Sequence, residues 1–482
     1  MRRMAKRHSA ACKLTVLLLA WIGIMGPEGS LATDRLSTSQ ARALAQEAYI
    51  YFYPLVLMDV SRLMETSAAT DNGEVTSSAN KFSHQQLFPS PPIGEAIRPN
   101  FDTVYSVAWL DLMAEPVIVS MPDTGGRYYL LSMFDMWSEA FATPGTRTTG
   151  TSATKFVVVP PNWAGRVVGL PRIDAPTPYV WVLGEIRTNG PSDYQAVRQI
   201  EEGMAIYPVS QIGRRIPRPV SVAFDPSVDR TAPARERVGA MSAKQYFAYG
   251  AQLLKTNPPR ETDWSILARL KQMGIEQGKD FDVNNTDPIV REALENTATA
   301  SLKLITGEAL TLAPMIDGCH IDVDTAAYAN DYLKRAGVAM RGVGLRQPQE
   351  AICRMIIDDA DGKPLNGGNR YIVHFDKEML PPVDGSWSLT VYDAEGHPAN
   401  NSIGRFVIGD RDKLEYNPDS SLDIWIQYQD PGPSQRSNWL PIPPTEGLEI
   451  ILRLYAPHAE VIDGRWIPPP IARENGREKL RN

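Results

Sequence analysis

The sequence predicts an α+β protein. Two antiparallel β-sandwich or jelly-roll-like domains follow an N-terminal helix and are separated by a helical segment. Three observations carry this reading. Residues 101–187 form short alternating apolar runs between Gly, Pro and Thr clusters. Residues 190–350 switch to helical spacing. From 351 to about 467 alternation returns, with turn signals at intervals of roughly ten residues.

The chain opens with a cationic leader, "MRRMAKRHSAACK", followed by the apolar run "LTVLLLAWIGIMG". This run has signal-peptide length and is too short to cross a bilayer comfortably. Ser30 and Ala32 supply small residues at −3 and −1, which places cleavage after Ala32. Cys12 precedes the apolar run, where no lipoprotein site would put it. The expected product is periplasmic or secreted, with no transmembrane anchor after cleavage. Removing five cations and one anion with this leader takes the net charge from −7 to −11. Such acidity excludes nucleic acid as the expected partner. Cys319 and Cys353 remain and allow at most one disulfide. A chain of this length must therefore bury its surface in two or three apolar cores.

Residues 33–70 hold the first helix, with a Ser37-x-x-Gln40 capping pattern and Ala45, Ala48, Tyr49 and Phe52 at helical spacing. Pro54 is expected to kink or end it. A Ser-, Asn-, Pro- and Gly-rich loop over 71–100 leads into the first β domain, which the sequence bounds at 71–190. The helical connector, 191–350, carries expected caps at Ser192 and Ser242 and is interrupted by "RRIPRPVSVAFDPSVDRTAP". The second β domain spans 351–470, and a charged tail, 471–482, follows the Pro-rich "WIPPPIA".

Familiar catalytic signatures are missing: no G-x-S-x-G elbow, no P-loop, no G-x-G-x-x-G after a strand and no H-E-x-x-H. His84, His320, His374, His397 and His458 form no close pair for zinc or iron, so no metal site is assigned and any cofactor stays unknown. The acidic run Asp410, Asp412, Asp419 and Asp423 reads as a solvated turn ahead of a cation site.

The chemistry concentrates in "RPNFDTVYS" and "LEIILRLYAP". If 100–110 is a strand, Asn100, Asp102, Val104 and Ser106 share one face. Phe101, Thr103, Tyr105, Val107 and Trp109 share the other, which the aromatics assign to the core. Asp102 is then a candidate base, or an Asx-type tie to its own loop. On the second stretch Leu448, Ile450, Leu452 and Leu454 form a core face. Arg453 and Tyr455 project from the far side, ready to hold a carboxylate or carbonyl. The bland alternative is an Arg453–Glu449 pair along the strand. Asn438 and Trp439 lie in a loop whose prolines bar a central strand. Tryptophans in strands and loops either stack on ligands or fill the sandwich cores.

"AYIYFYPLV", "RPNFDTVYS", the D-M-W and "TTG" segments and "VVVPPNW" resemble the domain of unknown function numbered 1254. "DADGKPLNGGNRYIVHF", "PPVDGSWSLTVYD", "NWLPIPP", "LRLYAP" and "DGRWIPPPI" resemble its usual partner, the domain numbered 1214. The resemblance implies an exported bacterial protein with two β domains and a tendency to form homo-oligomers. It carries Arg98, Asn100, Asp102, Thr103, Tyr105, Asn438, Trp439, Arg453, Tyr455 and Trp466 as recurrent polar and aromatic positions. Ser386 replaces a usual aromatic, Phe406 a usual tyrosine, and "DSSL" stands for "DGSL".

The expected function is an exported hydrolase or lyase acting on a small anionic or carbonyl-containing compound. Asp102, Tyr105, Arg453 and Tyr455 would be catalytic, and Arg98, Asn100, Asn438, Trp439 and Trp466 would bind substrate. The alternative is a non-catalytic periplasmic ligand-binding or envelope scaffold protein.

Overall fold

The computed structural model describes residues 35–66, 79–84, 98–213, 232–312, 328–342 and 346–474. The expected leader, the tail from 475, His320 and Cys319 lie outside them, as does most of the loop over 71–100 and of the interruption after Gly213.

Helix α1 (Thr38–Thr66) starts where the capping pattern places it. Gln40 N donates to Ser37 Oγ at 3.3 Å, and Ser37 N donates to Gln40 Oε1 at 2.9 Å. Pro54 does not end it: the helix runs on for three further turns. Every residue from Tyr49 to Val60 is buried, so packing on all sides offsets the backbone bond that proline forfeits.

Among the described residues nine strands build the first β region: β1 (Ser83–His84), β2 (Thr103–Asp111), β3 (Val117–Met121), β4 (Tyr129–Phe134), β5 (Ala140–Ala142), β6 (Thr154–Val159), β7 (Arg172–Asp174), β8 (Tyr179–Arg187) and β9 (Ala205–Pro208). They pair in two sheets, ordered β1-β2-β8-β4-β5 and β7-β6-β3-β9. Both sheets contribute to one apolar core that includes Ala108, Leu110, Val119, Leu131, Val158 and Val182. Short helix α2 (Thr146–Thr149) and helix α3 (Tyr194–Gly203) are set between strands of this region.

The helical segment contains α4 (Ala234–Gly239), α5 (Ala243–Thr256), α6 (Trp264–Gln272), α7 (Pro288–Glu295), α8 (Ala298–Thr311) and α9 (Tyr332–Arg341). These pack around α1 in a core that also takes Trp109 and Trp137 from the first β region. Ser242 caps α5 as expected, accepting from Gln245 N at 3.3 Å. Ser192 caps nothing, because Pro191–Asp193 forms a 3-10 turn and α3 begins only at Tyr194.

The second β region comprises β10 (Ala351–Ile356), β11 (Tyr371–Phe375), β12 (Val383–Tyr392), β13 (Val407–Gly409), β14 (Leu422–Gln427), β15 (Trp439–Pro441), β16 (Glu449–Pro457) and β17 (Ala472–Arg473), with the single-turn α10 (Ala459–Ile462) after β16. Its sheets run β10-β16-β12-β13 and β15-β14-β11-β17. Leu448, Ile450, Leu452 and Leu454 lie in the core between them, as alternation requires. Strand β15 sits at a sheet edge, where its proline removes no ladder donor from a central strand.

A separate apolar cluster joins the two β regions through Phe101, Tyr128 and Leu130 on one side and Ala351, Tyr392, Ile451 and Tyr455 on the other. Cys353, in the same cluster, is disulfide-bonded. Gly409 closes β13 against β12 so tightly that a Cβ there would stand 2.1 Å from the Trp387 carbonyl oxygen. Gly409→Ala is expected to cost about 1–3 kcal/mol in denaturant unfolding, because the strand carrying the Asp410–Arg411 turn must move away.

Candidate functional site

The strand carrying Asp102 starts later than alternation suggests. β2 begins at Thr103, so Arg98 to Asp102 form an irregular approach to it. Arg98 itself adopts φ 56°, in the left-handed region, instead of the extended conformation that Pro99 favours. The chain is held in this shape from the second β region. Arg98 Nε and Nη2 donate to Glu449 at 2.6 and 2.8 Å, and Arg98 N donates to the Gly396 carbonyl at 2.7 Å. Tyr392 Oη donates to the Pro99 carbonyl at 2.6 Å. Glu449 therefore pairs with Arg98 across the interface, not with Arg453 along its own strand.

The turn closes through Asn100, whose Oδ1 accepts from Asp102 N at 2.8 Å. This leaves the Asp102 carboxylate free to face the second β region, where it is only 2% exposed. Ser388 Oγ donates to Asp102 Oδ2 at 2.6 Å, and Tyr455 Oη donates to the same oxygen at 3.3 Å. Arg411 Nη2 lies 2.7 Å from Asp102 Oδ1, an ion pair whose N–H direction falls off the hydrogen-bond axis. The other Arg411 nitrogen, Nη1, donates to the Thr188 carbonyl at 2.9 Å and the Phe101 carbonyl at 3.3 Å. Asp102 thus faces Ser388, Tyr455 and Arg411.

The expected face assignment of β2 is corrected by its packing. Val104, Ala108 and Leu110 line the sandwich core, whereas Trp109 packs into the helical core and Thr103 and Tyr105 join the polar cluster. Asn100 Nδ2 donates to Thr103 Oγ1 at 2.8 Å, to Tyr105 Oη at 3.0 Å and to Tyr455 Oη at 3.2 Å. Tyr105 thus approaches Asn100 instead of turning into a core. Behind it, Arg346 grips Glu185 through Nε at 2.5 Å and Nη2 at 2.7 Å, and reaches Tyr105 Oη at 3.2 Å. Thr103 Oγ1 completes the chain to Glu185 at 3.2 Å.

Arg453 is 2% exposed and donates to Thr390 Oγ1 at 3.0 Å and Tyr392 Oη at 2.9 Å. Burial raises the Tyr455 phenol well above its usual range, and the Asp102 carboxylate pushes it further. At neutral pH Tyr455 is a hydrogen-bond donor and never a phenolate. Asn438, Trp439 and Trp466 serve backbone ties elsewhere in the second β region. Asn438 bridges Glu415 and the Asp423 carbonyl, Trp439 Nε1 donates to the Gln427 carbonyl at 2.8 Å, and Trp466 Nε1 to the Met379 carbonyl at 3.2 Å.

Ser388, Arg411, Glu185 and Arg346 escaped sequence reasoning. Only Glu185 left a signal, as an acid inside the apolar run "YVWVLGEIR". Among the described residues no group of three or more acids, cysteines or histidines is placed to hold a metal. Asp410, Asp412, Asp419 and Asp423 engage separate partners: Trp387 N, Gly409 N, Ser421 and His374.

A second polar group lies inside the first sandwich. His84 Nδ1 and Ser106 Oγ are 2.8 Å apart, and Ser106 Oγ donates to Glu201 Oε1 at 3.4 Å. Burial raises the Glu201 carboxyl from 4.5 to about 6, against the opposing pull of Ser106 and Arg198. The folded state therefore binds more protons than the unfolded chain between these values, and stability falls as pH rises through that window. The penalty, about 2 kcal/mol, is fully present above the folded value. Glu201→Gln should flatten this part of the stability–pH curve and raise stability at pH 7, as urea unfolding across pH 4–8 will show.

The structure resembles that of the VPA0106 protein from Vibrio parahaemolyticus, with 24% identity, coverage of 90% of this chain and 99% of that one, and a TM-score of 0.65. At this identity the likeness shows the fold alone. An uncharacterized protein from Burkholderia cenocepacia aligns at 11% identity over 91% of this chain and 94% of its own, with a TM-score of 0.39. No curated protein is significantly similar to the chain. Residues 79–208 match the protein of unknown function DUF1254, and residues 350–459 match DUF1214. Asn100, Asp102, Tyr105 and Glu185 come from the first matched region, and Ser388, Arg411, Arg453 and Tyr455 from the second. The chain thus pairs a DUF1254 region with a DUF1214 region, in that order.

Proposed function

We propose that the protein is an exported, non-catalytic binding or scaffold protein, in which the Asp102 cluster is a latch between the two β domains. The observation that supports this most is the state of Asp102 itself. Its carboxylate is 2% exposed and meets three side chains of the opposite domain. A general base needs a lone pair within reach of substrate. This carboxylate instead has a serine and a tyrosine on one oxygen and a guanidinium beside the other. Arg453, the expected anchor for substrate, is directed at Thr390 and Tyr392. Export rests on the leader over residues 1–32, and among the described residues no helix is long and apolar enough to cross a membrane.

The test is a turnover screen of the purified protein and its Asp102→Asn variant on ester, amide, lactone and carbon–carbon lyase substrates. The latch reading predicts no turnover that depends on Asp102. Turnover by wild type that vanishes in a folded Asp102→Asn protein would establish the hydrolase or lyase reading instead.

A further inference from the structure

We propose that Arg335 anchors a binding site for a small, flat, neutral compound that presents a carbonyl oxygen, such as an amide, ester or ketone. The proposal rests on the binding reading above and names the ligand chemistry that reading leaves open. It does not involve the interdomain latch.

Arg335 lies on α9 and is 1% exposed. None of its three guanidinium nitrogens has a hydrogen-bond acceptor. Three aromatic rings surround the group, with centroids 4.9 Å (Tyr332), 5.5 Å (Trp137) and 5.8 Å (Tyr51) from its carbon. Asp263 Oδ1 stands 3.7 Å from Nη2, near enough to offset charge and too far for a hydrogen bond. The Asp263 oxygens are already occupied, accepting from Tyr51 Oη at 3.1 Å, Tyr332 Oη at 3.1 Å and Arg260 N at 3.2 Å. The rings and Asp263 balance the cation. They do not answer its N–H groups, and buried donors without acceptors are rare in folded proteins.

What is missing is an acceptor, and charge decides which kind. Arg260 beside this cage is paired with both Asp135 and Glu139. Together with Asp263 and Arg335 that makes three carboxylates against two guanidiniums. A carboxylate or phosphate ligand would enter a site that is already net negative, so a neutral carbonyl oxygen fits better. The aromatic walls favour a flat molecule. One wall is held under strain: Ser138, directly after Trp137, is buried at φ 66° with its hydroxyl unpartnered. Asp135 fixes that turn by accepting from Trp137 N at 2.9 Å and Glu139 N at 3.1 Å. Strain of this kind gathers at ligand clamps. Tyr332 is only partly buried and forms the edge of the cage nearest solvent.

Calorimetric titration with benzamide, N-methylacetamide and benzoate tests this, alongside a crystal structure of the full protein soaked in benzamide. Wild type should bind benzamide, with its carbonyl oxygen in hydrogen-bond reach of the Arg335 guanidinium. Benzoate should bind more weakly. Arg335→Met should lose affinity about 10- to 100-fold, the loss of a charged hydrogen bond. If that variant does not fold, the wild-type benzamide-to-benzoate ratio and the soaked structure decide. No binding of either amide, binding away from Arg335, or a preference for benzoate overturns the proposal. Amide binding beside Arg335 together with Asp102-dependent turnover would leave the site standing and remove the non-catalytic reading.

Discussion

Asp102→Asn is expected to destabilise the protein by about 3 kcal/mol in denaturant unfolding and to separate the melting of the two β regions. The substitution keeps the shape of the side chain and removes its charge. Arg411, 8% exposed at its side chain, is then left without its anion. The amide nitrogen of the new residue also replaces one of the acceptor oxygens that Ser388 and Tyr455 donate to or that Arg411 faces. Ser388→Ala removes a single hydrogen bond and should cost only about 1 kcal/mol. A variant ladder in which Ser388→Ala exceeds Asp102→Asn would contradict the larger weight given to the Asp102–Arg411 ion pair than to the Ser388 hydrogen bond.

Glu185→Gln is the second large effect expected, about 3–5 kcal/mol, since it removes the carboxylate paired with Arg346 where both partners are 1–2% exposed. Thr103 Oγ1 and Tyr105 Oη lean on the same pair, so the loss should reach the Asn100 turn. The double replacement Glu185→Leu with Arg346→Met should recover much of the loss, because an apolar pair of similar volume avoids desolvating two charges. Equal unfolding free energies for wild type and Glu185→Gln would show that the pair carries no weight.

The sequence-level reading was strongest where periodicity decides. The core face of β16 follows from alternation alone, and both the Ser37 and Ser242 caps follow from side-chain chemistry at a spacing of three. Of the two outcomes expected at Pro54, a kink or an end, the end does not occur, and α1 continues with its residues from Tyr49 to Val60 buried on all sides. The reading failed where tertiary contacts override a local rule. Arg98 is left-handed before a proline because Glu449 and Gly396 hold it there.

The motif residues around Asp102 were legible as a group, but their partners were not. Alternation assumes one buried face per strand, yet β2 is covered on both, by the sandwich core and by the helical core. Arg411 sits in a turn after β13 and Arg346 just before β10, where no period marks a residue as buried. Contacts across 161 to 353 positions of chain leave no signature in either local segment.

A double-mutant cycle joining Asp102→Asn and Arg411→Met measures the latch most directly. The two residues belong to different matched regions, and their separation of 2.7 Å requires strong coupling. The predicted coupling energy is about 1.5–3 kcal/mol in favour of the native pair. Additive losses, with coupling indistinguishable from zero, would contradict the claim that Asp102 locks the two β regions together.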